Sequence, residues 1–218
     1  FYKFEDGKKK FYDVNSKTYI NVPSSENHYI LDAFRVNNQI LKNSECTVHD
    51  IGEGVMCIEF QTKGNSIGEG IAKGINEAID IAERDGWNGI VIGNNEKQFS
   101  VGANLMNMGM MAMQKNFDEI EKFLVGFQKI LMRMRTCNVP VVSATHGFVM
   151  GGGLEVSIHC DAGIHASEAY IGLVEAGVGL IPGGGGTKEM AMRASDSFNS
   201  GDVKMPSLID HFKSIAMG

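Results

Sequence analysis

From Val55 onward, short apolar runs alternate with longer stretches of helical apolar spacing, and few architectures accommodate that alternation. Val55-Met56-Cys57-Ile58-Glu59-Phe60 is bounded by Gly54 and Gly64, and Ile67, Ile71, Ile75, Ala78, Ile79 and Ala82 follow at helical spacing. Gly89-Ile90-Val91-Ile92-Gly93 reads as the next buried strand. Residues 116–136 put Phe117, Ile120, Leu124, Phe127, Ile130, Leu131 and Met134 on one helical stripe, and Val139 to Ala144 reads as a third strand. Strands separated by helices need crossover connections, so the expected class is α/β with a largely parallel sheet. No repeat of fixed residue period is present.

Residues 1–50 are polar. An alternating aromatic stretch at Phe11-Tyr12-Asp13-Val14 and Lys17-Thr18-Tyr19-Ile20, followed by Pro23-Ser24-Ser25, predicts a small hairpin and a connector. The expected division is therefore connector 1–50, main domain 51–195 and C-terminal segment 196–218. The 218 residues, 43% apolar and 21% charged, suffice for one globular core. No window supplies the roughly 18 apolar residues of a membrane span, and FYKFEDGKKKFYD has no signal-peptide core, which points to an intracellular, cytoplasmic protein. A net charge of −6 argues against a general nucleic-acid binder. Cys46, Cys57, Cys137 and Cys160 show no CxxC spacing. A start at Phe1 and an end in what reads as a running helix predict a longer parent protein.

Candidate chemistry concentrates after the third strand. Gly151-Gly152-Gly153 opens a helix, leaving uncovered N–H groups where the helix dipole is positive, a place suited to an oxyanion. Glu155 follows in the first turn, where an acid is either a catalytic group facing the same cavity or simply a dipole partner. Glu175 comes 20 residues later in an apolar, glycine-rich segment, where burial would raise its pKa; an ordinary loop acid is the other reading. Gly183 to Gly186 opens another helix, but Thr187 precedes Lys188, so the Walker spacing is not met. Gly64-Asn65-Ser66-Ile67-Gly68 satisfies G-x-S-x-G between a strand and a helix, a short pattern that keeps a serine hydrolase as a minor rival. His159, Cys160, Asp161 and His165 match no common metal-ligand spacing and read as packing. Met106, Met108, Met110, Met111 and Met113 suit either an adaptable apolar pocket or plain packing.

The segments FSVGANL (99–105), PVVSATHGFVMGGGLEVSIHCD (140–161) and YIGLVEAGVGLIPGGGGTKEMAMR (170–193) resemble, in order and spacing, the crotonase or enoyl-CoA hydratase/isomerase family. The resemblance spans about Val55 to Arg193. It implies a crotonase-like spiral of repeated β-β-α units, with Glu155 and Glu175 as the catalytic pair. It also implies an oxyanion hole from the backbone amides of Val101 and Gly152. CoA and substrate contacts are implied at Lys63, Asn65, Ile67, Ala103 and Gly151. The implied reaction is syn addition of water to a 2-trans-enoyl-CoA in fatty-acid β-oxidation, with an enoyl-CoA isomerase or a catalytically incomplete acyl-CoA-binding module as alternatives. The substrate thioester is the electron sink, so no metal or redox cofactor is implied and CoA enters as part of the substrate. A homo-oligomer, trimeric in the family, goes with the resemblance. Asn104, Val101 and Val174 depart from the family's usual aspartate, alanine and proline. YKFEDGKKKFYDVNSKTYINVP further resembles the connector before the hydratase part of bifunctional 3-hydroxyacyl-CoA dehydrogenase/enoyl-CoA hydratases. NAD would belong only to such an upstream dehydrogenase domain, and this chain has no GxGxxG.

Overall fold

The computed structural model describes residues 1–5, 8–23, 29–35, 38–199 and 205–217. The polar N-terminal stretch forms β1 (Tyr2–Glu5), β2 (Lys8–Asp13) and β3 (Thr18–Asn21), an antiparallel sheet of its own. The predicted hairpin is β2 with β3, where Tyr12 and Tyr19 meet edge to face at 5.4 Å. Of the expected connector, Ser24 and Ser25 lie outside the described residues.

The main sheet begins earlier than the sequence suggested. Strands β4 (Gln39–Lys42) and β5 (Cys46–Asp50) pair antiparallel with each other, and β5 pairs with β6 (Val55–Phe60). Cys46, Thr47, Val48 and His49 are all buried, so the boundary expected at residue 50 falls inside a sheet. The polar members are tolerated because each has a partner: Thr47 Oγ1 donates to Gln61 Oε1 at 2.8 Å, and His49 Nε2 lies 3.1 Å from Glu59 Oε2.

Downstream, α1 (Glu69–Asp85), β7 (Gly89–Ile92), α2 (Leu105–Met113), α3 (Phe117–Thr136), β8 (Val141–Thr145), β9 (Phe148–Met150), α4 (Gly152–Ile158), β10 (Ala162–His165), β11 (Tyr170–Gly172), α5 (Gly186–Asp196) and α6 (Met205–Met217) follow. The six-stranded sheet runs β10-β8-β7-β6-β5-β4 and is parallel from β10 to β6. Beside it runs a narrow second ladder: Ile67 bridges Ala103, Ser100 bridges Val149, and β9 pairs with β11. Each turn of the chain thus contributes a long strand, a short extended piece and a helix. The turns are β6, Ile67 and α1; β7, 100–103 and α2; β8, β9 and α4; β10, β11 and α5. This is the expected spiral of β-β-α units.

Helix α1 buries Ile71, Ile75, Ala78, Ile79 and Ala82 against the sheet, and each fully buried isoleucine contributes about 1.5–3 kcal/mol. Ile67 precedes the helix, in the second ladder. The α3 stripe divides: Phe127, Leu131 and Met134 are core, whereas Ile120 and Leu124 face a cavity and Phe117 is exposed. The C-terminal segment, left unassigned by the sequence, holds α6, which is largely exposed and rests a partly buried Ile215 on the core; Gly218 lies outside the described residues.

Cys46 binds β5 closely to α1, where a methyl on Gly74 would overlap the Cys46 sulfur. Alanine is about 1 kcal/mol the better helix former, yet overpacking here costs about 1–3 kcal/mol. Gly74→Ala is therefore expected to lower stability in urea unfolding, and to be neutral or stabilising when Cys46→Ala is also present; equal effects in both backgrounds would refute the contact.

Candidate active site

The second ladder determines which backbone amides are free. In a parallel bridge the central residue bonds to the two neighbours of its partner, and Ile67 does so: its N–H donates to the Gly102 carbonyl at 2.8 Å and its carbonyl accepts from Asn104 N–H at 3.3 Å. The N–H of Ala103 points the other way. Val101, expected to supply an oxyanion amide, donates instead to the Gly64 carbonyl at 3.1 Å, which removes it from that role. Gly102 N–H is taken by Ser100 Oγ at 3.1 Å. Among the described residues, neither the Ala103 nor the Gly152 N–H has an acceptor, and both residues line the same cavity.

Two glycines bring these amides together. A methyl on Gly102 (φ +90°) would lie 2.8 Å from the Met150 carbonyl oxygen and 3.1 Å from the Gly152 nitrogen. Gly151 turns at φ +50° so that its own N–H reaches the Gly172 carbonyl at 2.9 Å and α4 starts facing the cavity. A methyl on Gly152 would lie 3.3 Å from the Ala103 nitrogen.

Glu155, in the first turn of α4, is 3% exposed. Its Oε1 accepts from the Gly186 N–H at the start of α5 at 2.8 Å. Burial pushes its carboxyl up to about 7, against the opposing pull of the Gly186 amide and with a further upward push from Glu175. Glu175 opens a short 3₁₀ turn, 175–178. Burial raises its pKa too, and its Oε2 is buried without a partner. A methyl on Gly151 would lie 3.0 Å from Glu175 Oε1, and one on Gly184 would collide with Glu155 Oε2 and the Phe127 ring. Both acids therefore reach the cavity over bare glycine backbone.

The cavity is about 700 Å³. Its far walls are Leu105 and Met108 of α2, the Ile120 to Met132 face of α3, and Val178 to Pro182. Of the residues expected to contact CoA, Ala103 and Gly151 line it. Lys63 is exposed on a 3₁₀ turn away from the lining. Asn65 and Ile67 are buried; Asn65 Nδ2 donates to the Gln98 carbonyl at 3.0 Å, and Ile67 packs in the core. These two shape the loop rather than touch a cavity ligand. Ser66 of the G-x-S-x-G pattern is outside the lining as well.

Sequence reading missed a polar cluster behind Glu155. His159, read as packing, is buried and lines the cavity. Its Nδ1–H donates to the Glu155 carbonyl at 2.6 Å and its Nε2 lies 3.2 Å from Lys188 Nζ. Lys188 and Arg135 both bond the fully buried Glu189, at 2.7 and 2.5 Å. The signal was present: His159 stands four residues after Glu155, one helical turn on.

A family profile described as "Enoyl-CoA hydratase/isomerase" matches residues 50–201. The chain is 37% identical over 218 residues, all of it, to a Bacillus subtilis (strain 168) protein named "Probable 3-hydroxyacyl-CoA dehydrogenase", and spans 27% of that protein. It is 37% identical over 102 residues, 47% of the chain and 38% of the relative, to the "Short-chain-enoyl-CoA hydratase" of Clostridium acetobutylicum. The crystal structure of an enoyl-CoA hydratase from Polaromonas sp. JS666 superposes with TM-score 0.68 at 21% identity, covering 79% of this chain and 63% of that one, a likeness of fold.

The raised Glu155 pKa has a consequence for stability. A carboxyl lifted from 4.5 to about 7 on folding binds its proton more tightly in the folded state, so its contribution is complete below the ordinary value and is lost as pH rises through about 7. Urea unfolding at pH 5 and pH 8 is expected to show the wild type losing more stability than Glu155→Gln, by on the order of 2–3 kcal/mol. Equal losses would mean that the carboxyl is not perturbed.

Proposed function

The chain belongs to the enoyl-CoA hydratase/isomerase family, and from that membership we propose that it is the hydratase part of a fatty-acid β-oxidation enzyme, adding water to 2-trans-enoyl-CoA to give 3-hydroxyacyl-CoA. The observation that carries the reading is the convergence of one buried and one half-buried carboxyl with two amides that have no acceptor among the described residues, on one apolar-walled cavity.

The thioester oxygen sits between the Ala103 and Gly152 N–H groups, which stabilise the enolate that forms as water attacks C3. The proposal thus moves the first oxyanion donor two residues along from Val101. Glu155 and Glu175 hold the water on one face of the double bond. One carboxylate takes a proton from the water and the other, protonated, delivers a proton to C2. Mutual repulsion favours such a singly protonated pair near neutral pH. Two acids favour hydration over an isomerase, which needs one. The thioester supplies the electron sink, so the reaction calls for no metal or redox cofactor.

The 37% identity over 218 residues to a protein named "Probable 3-hydroxyacyl-CoA dehydrogenase" supports a bifunctional parent, with NAD confined to a dehydrogenase part. No helix among the described residues is long and apolar enough to cross a membrane, which accords with a cytoplasmic enzyme. A homo-oligomer, trimeric as in the family, would cover the exposed Phe148, Ile164 and Tyr170.

The test is loss of the conjugated enoyl-thioester absorbance of crotonyl-CoA. Glu155→Gln and Glu175→Gln are each expected to lower kcat by about 10²-fold or more. Binding of crotonyl-CoA without turnover by the wild type would instead support an acyl-CoA-binding module.

A further inference from the structure

Charge around Glu189 does not balance. This one carboxylate is fully buried and is bonded by two cations, Arg135 on Oε2 and Lys188 on Oε1. His159 adds no charge: burial lowers its pKa, and its Nδ1–H donates to the Glu155 carbonyl. Its Nε2 is therefore a lone pair that accepts from Lys188. The cluster keeps one positive charge in excess, and the part of it that reaches the cavity is Lys188, whose side chain is 40% exposed.

An ammonium has three N–H donors. His159 Nε2 accepts one at 3.2 Å, and Glu189 Oε1 lies 2.7 Å away as an ion-pair contact without hydrogen-bond geometry. Another faces Met132 Sδ at 2.8 Å, and a thioether is a weak acceptor. Met132 and Lys188 both line the cavity beside Leu124, Phe127 and Gln128, and Lys188 is the only cation in that lining among the described residues. A charged donor held against a poor acceptor on a mostly apolar wall exchanges it readily for a ligand oxygen.

We propose that Lys188 is an anion-reading subsite of the acyl cavity, which selects CoA thioesters whose acyl chain ends in a carboxylate. The inference rests on the acyl-CoA reading of the cavity. Glu155 and Glu175 border the reacting end and repel a second carboxylate there, whereas Lys188 of α5 contacts His159, which stands one turn of α4, about 5.4 Å, past Glu155. The acid must therefore stand several carbons past the double bond, as in CoA esters of medium-chain dicarboxylic acids.

Calorimetric titration with suberoyl-CoA and octanoyl-CoA, saturated esters of equal chain length, tests the subsite without catalysis. The wild type is expected to bind suberoyl-CoA more tightly. Lys188→Met should lower the ratio of the two affinities by about tenfold or more, the scale of one charge-assisted hydrogen bond, and Lys188→Arg should keep most of it. A ratio unchanged in Lys188→Met, or a wild-type preference for octanoyl-CoA, overturns the proposal. Binding of neither ester overturns the acyl-CoA reading and this subsite with it. Selective binding without crotonyl-CoA hydration counts against the hydratase reading alone.

Discussion

A carboxylate taken out of water must find donors or take up a proton, and the bond from the Gly186 amide to Glu155 is how this fold meets that condition. The acid belongs to one helix N-terminus and its donor to another, so α4 and α5 have to converge with their positive ends toward the same point. Convergence at that distance leaves no room for a side chain at Gly184, and Glu175 leaves little at Gly151. One amide does not offset the whole cost of burial, and the residue of that cost is the pKa near neutrality on which acid/base work depends.

The wide sheet gives the molecule its bulk, and the narrow ladder gives it its site. Ile67, Ala103, Ser100, Val149 and β11 lie along that ladder, and its hydrogen bonds decide which N–H groups are used up and which face a ligand. Which donors stay free is thus decided by strand pairing and not by residue type. The acids then enter from the helix and the turn that follow the third and fourth rungs.

Much of this was legible in the sequence because burial on one face leaves a period. The runs at 55–60 and 89–92 and the stripes of α1 and α3 were found in that way, and the glycine clusters pointed to both glutamates. Strand β5 was missed because Cys-Thr-Val-His-Asp has no apolar run; its polarity is absorbed by Gln61 and Glu59, distant partners that local reading does not see. The Val101 assignment failed for a related reason, since the Gly64 carbonyl that occupies its amide is set by a contact between turns of the spiral. The spiral itself hid from a search for fixed periods because the insertion of α3 makes its turns unequal in length. His159 read as packing, and nothing local joined it to Lys188 and Glu189, which meet it only where α3, α4 and α5 pack together.

The donor that holds Glu155 lies 31 residues downstream of it. A chain emerging from the ribosome in N-to-C order therefore exposes α4 before the turn that can accept its acid exists. Until that turn arrives, the carboxylate must keep its water or take up a proton. Burial of this glutamate thus ties α4 to a segment made later in the chain, since its buried carboxylate has a hydrogen-bond donor only once the start of α5 is present.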